Sequence, residues 1–154
     1  MKFFTVKKII TAILFLVFIV TGLVDALLHG KTTYSSIMRM DIQRVYFYTF
    51  YLLVIGCWLL YYKWFVGIGF IALAAFSAYF REYIYIHNYF ASIAIYVGIA
   101  IDLIIRRKIK WLILLTIIGV IQGIAFQARV GHYVVGSMEF LSLCVGLILI
   151  TKTI

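Results

Sequence analysis

The residues able to do chemistry in this chain are few and patterned. Asp25 precedes His29 by four residues, Asn88 follows His87, and Glu139 follows His132 by seven. Spacings of four and seven put two side chains on one face of an α-helix, so Asp25 can hydrogen-bond His29 and Glu139 shares a face with His132. A carboxylate behind an imidazole fixes its tautomer and raises its basicity, as in general bases and metal-ligating histidines. Arg81, Glu82, Gln122, Gln127 and Arg129 supply further polar groups along the chain.

Four kinds of function follow from such a set. Asp25, His29, Arg81, Glu82, His87, Gln122, Arg129, His132 and Glu139 would line an outward-facing polar pocket for a small substrate or a lipid headgroup, making the chain a binding or transport protein. Alternatively, His29, His87 and His132 with Asp25 would hold a zinc ion, with Glu139 as general base, in an enzyme acting at the outer leaflet on a lipid or lipid-linked substrate. No HExxH or comparable short motif supports that alternative. A third reading is a haem b cytochrome with two of the histidines as axial ligands and Arg81 or Arg129 at the propionates; His87 is deep enough for this, whereas His29 and His132 lie shallow. The fourth is a small scaffold or accessory subunit whose polar residues meet headgroups and water. No serine or cysteine is placed beside a histidine as a nucleophile. The sequence names no cofactor, and the pattern Asp25-x-x-x-His29 is too short to indicate a family.

The elements that must carry these residues are read from hydropathy. The 154 residues are 66% hydrophobic and 12% charged, with a mean hydropathy of +1.14, whereas soluble domains carry about 25% charge. The chain is therefore expected in a membrane. Residues 64–105 are predominantly apolar and are interrupted midway by Arg81 and Glu82, and a bilayer core takes about 20 helical residues to cross, so this run must double back at those two charges. Residues 9–28 are longer than the 7–15 apolar residues of a signal peptide and are read as a first transmembrane helix. The expected fold is thus all-α, a polytopic bundle of six transmembrane helices over residues 9–28, 45–62, 64–80, 83–105, 111–128 and 133–150, forming a single integral membrane domain with short loops. Between the first two spans, Ser35 and Ser36 resemble a helix cap. The absence of proline argues against broken transporter-type helices.

Charge sets the orientation. With both termini in the cytoplasm, the inner face holds nine basic residues against Asp102, net +8, and the outer face five basic residues against four acids, net +1. Such an excess of Lys and Arg marks the cytoplasmic side. The total of +9 is then topological and implies no nucleic acid. The implied location is a cytoplasmic (plasma) membrane, the inner membrane in a bacterial cell. Trp58, Tyr61, Tyr62, Trp64 and Trp111 would form the inner aromatic belt, and Tyr46, Tyr48, Tyr79, Tyr83, Tyr85 and Tyr133 the outer one.

In this topology the three histidines share the outer side, which is the reason to consider one pocket, and Glu139 lies roughly 10 Å inside the boundary. Asp102, one turn before Arg106, is expected to pair with it. Cys57 and Cys144 are expected mid-span as small apolar fillers. Besides the lipid bilayer, the partners implied are a second copy or another membrane subunit, meeting the fifth span at Gly119-x-x-x-Gly123, a spacing of small residues that allows close helix approach.

Overall fold

A computed structural model describes residues 2–31, 34–77, 79–83, 85–87, 92–128 and 132–153. Every regular element among them is helical: α1 (Lys2–His29), α2 (Tyr34–Met38), α3 (Ile42–Leu60), α4 (Trp64–Ala75), a 3-10 turn (Arg81–Tyr83), α5 (Ser92–Ile105), α6 (Ile109–Gln127) and α7 (His132–Thr153). Among the described residues two helices are long and apolar enough to cross a membrane, Thr5–His29 and Ile42–Leu60, and shorter apolar helices run over Trp64–Ala75, Ile95–Ile105 and Ile109–Ala125. The chain divides into two compact units, one of Met1–Ile37 with Leu103–Ile154 and one of Met38–Asp102.

In the first unit α7 packs against both α1 and α6. One face of α1 is buried through Thr11, Phe15, Phe18 and Ala26, the i, i+4, i+7 series of a helical stripe. The outward surface of α1 is apolar as well. Thr11 is fully buried with its hydroxyl donating to the Lys7 carbonyl at 2.9 Å, while Ile9, Ile13, Leu16, Val20, Leu23, Leu27 and Leu28 face outward. α1 stops at Gly30, whose φ of 61° is the left-handed geometry glycine adopts without strain; the Lys31 amide then reaches back to the Ala26 carbonyl at 3.1 Å, closing a Schellman turn.

In the second unit α4 lies between α3 and α5 in the packing. α3 starts at Asp41, whose carboxylate accepts the Arg44 amide at 2.8 Å and pairs with the Arg44 guanidinium. The cap is therefore Asp41, and Ser35 and Ser36 fall inside α2. α3 buries Val45, Tyr48, Leu52, Ile55, Gly56 and Leu59. Tyr48, expected in the outer belt, is fully buried because it falls on this stripe. A methyl group at Gly67 would lie 2.5 Å from the Leu60 nitrogen and 2.8 Å from the Gly56 carbonyl oxygen, and one at Gly98 would lie 2.9 Å from the Val66 nitrogen. Glycine lets these backbones touch. The succession Gly98 near Val66 and Ile95 near Gly69 makes α5 antiparallel to α4.

The third apolar run differs from the expected span: α4 ends at Ala75 instead of residue 80. Of the expected fourth span, residues 84 and 88–91 lie outside the described residues, and α5 is described from Ser92. Ser77 explains the early stop: its hydroxyl accepts the Tyr79 amide at 3.3 Å and its carbonyl accepts the Phe80 amide at 3.3 Å, so the serine offers the backbone a turn in place of another helical residue. The 12 residues of α4 rise about 18 Å at 1.5 Å per residue, less than a hydrocarbon core of about 30 Å. Arg81 and Glu82 do sit in the reversal, as the 3-10 turn.

Candidate functional site

The nine candidate residues are divided between the two units: Asp25, His29, Gln122, Arg129, His132 and Glu139 belong to the first, Arg81, Glu82 and His87 to the second. Arg129 lies outside the described residues, as do the side chains of Arg81 and His132.

In the first unit, Asp25 and His29 occupy the last turns of α1 with Nε2 and Oδ1 3.8 Å apart. The expected pairing is present as an electrostatic contact longer than a hydrogen bond. Deeper along the unit, Ser142 of α7 donates its hydroxyl to the Gln122 side-chain carbonyl of α6 at 2.7 Å. Glu139 is half-buried and three residues before Ser142, hence on a neighbouring position of the same face of α7. His132 opens α7, two turns before Glu139. Polar groups are thus concentrated on the helix that packs against both of its neighbours. On α6, Gly119 is half-buried and Gly123 exposed, and a methyl group at Gly123 would meet nothing within 4 Å.

In the second unit, Glu82 is exposed and His87 is buried, at 7% exposure. The His87 Nδ1–H donates to the Phe76 carbonyl at 2.9 Å. That carbonyl follows the last residue of α4 and has no helical partner of its own, so the imidazole completes the C-terminus of α4. Any ligand role for this ring would fall to Nε2. Among the described residues no group of three or more His, Cys, Asp and Glu is gathered in a way that could hold a metal ion. Cys57 and Cys144 are free and exposed on helix surfaces.

The second unit also holds an ion pair the sequence did not predict. Lys63, alone in the turn between α3 and α4, places Nζ 2.6 Å from Asp102 Oδ1 on α5; the expected partner of Asp102 was Arg106. The signal was available, because a single lysine between two apolar runs needs a counter-charge, and Asp102 was the one acid assigned to its side of the membrane. In the first unit, Lys152 near the end of α7 stacks its ammonium over the Trp111 ring at the start of α6, 4.1 Å from the centroid.

No protein family, no curated protein and no solved structure matches this chain.

Proposed function

We propose that this chain is a multi-pass integral membrane protein, crossing a cytoplasmic membrane six times with both termini inside, and that it acts as a non-catalytic binding or accessory component. Its membrane character is supported by α1, where ten large aliphatic side chains from Val6 to Leu28 are exposed. At about half exposure each they present on the order of 800 Å² of apolar surface, above the 300–600 Å² of the largest patch on a typical soluble monomer. The six-crossing topology is supported by two contacts compatible with it, Lys63 with Asp102 and Lys152 with Trp111, each joining residues assigned to the same face.

The binding role rests on the polar positions of α7. Glu139, half-buried, lies three residues before Ser142, whose hydroxyl bridges to Gln122 of α6, so two apolar helices share a polar stretch, and polar groups placed in such helices commonly serve function. In this function Asp25, His29, Gln122, Arg129, His132 and Glu139 form the outward polar recess of the first unit, while Arg81, Glu82 and His87 act within the second. A partner helix or second copy would approach α6 at Gly119 and Gly123. The test is accessibility. In a Cys57→Ala/Cys144→Ala background, Glu139→Cys is expected to react with a membrane-impermeant maleimide added outside intact cells, whereas Lys110→Cys, at an exposed position, reacts only after permeabilisation. Protection of position 139 from the outside reagent would remove the recess, and outside labelling at position 110 would remove the topology.

A further inference from the structure

The connection from α5 to α6 builds a feature that the outer polar residues do not share. α5 closes with the Lys108 amide donating to the Leu103 carbonyl at 2.9 Å while Arg107 takes the left-handed conformation at φ 54°, a Schellman turn with a cation where glycine is usual. The Lys108 carbonyl then accepts the Trp111 and Leu112 amides at 3.0 and 3.1 Å and so starts α6. Lys108 is thereby fixed by both helices. Beside it Lys152 is held over the Trp111 ring, and a recess of about 190 Å³ opens between them, lined by Leu103, Lys108, Trp111, Leu149 and Lys152.

The lining has two characters. Leu103 and Leu149, each 1% exposed, give an apolar floor, and Lys108 and Lys152 give a cationic rim, reinforced along the chain by Arg106, Arg107 and Lys110. Among the described residues neither rim lysine is paired with a carboxylate. The N-terminus of α6 adds the positive end of its dipole. We propose that this recess binds the phosphodiester headgroup of an anionic phospholipid. Two ammonium groups and a helix N-terminus meet the phosphate, while Trp111 and the leucine floor meet the glycerol and upper acyl chain, an apolar component that a free phosphate ion would leave unused. Basic recesses between helices at the cytoplasmic boundary are suited to such headgroups. The choice of a lipid as the source rests on the membrane reading above; the anion site itself does not, and it is independent of the outer recess.

The purified full-length chain in a non-ionic detergent would be titrated with short-chain phosphatidylglycerol, with phosphatidylcholine of the same chain length and with inorganic phosphate, following the unfolding temperature. Saturable stabilisation by phosphatidylglycerol alone is expected. Lys108→Gln and Lys152→Gln should each weaken it about fivefold, the effect of one basic residue at an anionic surface, while Lys152→Arg retains it and Lys7→Gln leaves it unchanged. Equal stabilisation by inorganic phosphate, no stabilisation by phosphatidylglycerol, or glutamine variants that bind like the parent would each overturn the proposal. Should a glutamine variant not fold, a phosphatidylglycerol carrying a photoreactive headgroup decides on the unmodified chain: crosslinks are expected within residues 103–111 and 149–152, and crosslinks confined elsewhere refute the site.

Discussion

Asp102→Asn is expected to destabilise the protein more than Lys63→Gln, although both break the same ion pair. The two charges are 2.6 Å apart, which at an effective dielectric constant near 20 corresponds to a direct attraction of about 6 kcal/mol before desolvation is counted. Desolvation cancels most of that, and it falls unequally, because the Lys63 side chain is 5% exposed and that of Asp102 is 21%. Removing the aspartate charge leaves a cation in a closed turn. Removing the lysine charge leaves a carboxylate with partial access to its surroundings. Breaking a buried pair costs about 3–5 kcal/mol, so Asp102→Asn should fall near 4 and Lys63→Gln nearer 2–3. The double variant Lys63→Met/Asp102→Leu, with no charge to bury, should recover to within about 1 kcal/mol of the parent. Unfolding in mixed micelles by increasing SDS, with the parent and the three variants, measures these differences. Equal costs for the two single variants, or a double variant as unstable as the sum of both, would refute the account of the pair as a desolvated charge matched by its partner.

Gly67→Ala is expected to cost 3 kcal/mol or more, beyond the usual range of about 1–3 for overpacking, because the added carbon meets backbone at 2.5 Å. Gly123→Ala, with open space around it, should instead be neutral or stabilise by up to about 1 kcal/mol through helix propensity; micelle unfolding again reads both. His87→Phe should lose about 1–3 kcal/mol by leaving the Phe76 carbonyl unpaired, whereas His87→Gln, which keeps a donor, should lose less in thermal unfolding. The Arg44 amide hydrogen bond, and then the Arg44 guanidinium, hold the Asp41 carboxyl below its ordinary value of 3.8. Its capping contribution should therefore be complete above that value and disappear as pH falls through the lower folded-state value, so the stability gap between the parent and Asp41→Ala should narrow only at acid pH.

Hydropathy was enough to read an all-helical chain and to mark the long apolar helices Thr5–His29 and Ile42–Leu60, since those depend on local composition and on the length of apolar runs. With charge, it also put the reversal near Arg81 and Glu82. The early end of α4 was not legible, because it depends on Ser77 and on an imidazole eleven residues beyond Phe76 returning to its carbonyl. The candidate site was legible only as residue types at helical spacing. Asp25 with His29 follows from an i, i+4 interval and appears as such. Gln122 with Ser142, separated by a hairpin, depends on how α7 is rotated against α6, which the weak amphipathicity of such apolar helices leaves open.

Sequence alone therefore decided what the chain is made of: helices, their order and their apolar surfaces. Tertiary structure decided which of the small and charged residues meet: Gly67 and Gly98 as points of backbone contact, Lys63 with Asp102, Lys152 over Trp111. The reason is physical. Burial of apolar surface is non-directional and can be counted along a chain, whereas an ion pair or a glycine contact requires particular atoms from distant segments to come within about 3 Å, a condition set only when the helices have packed.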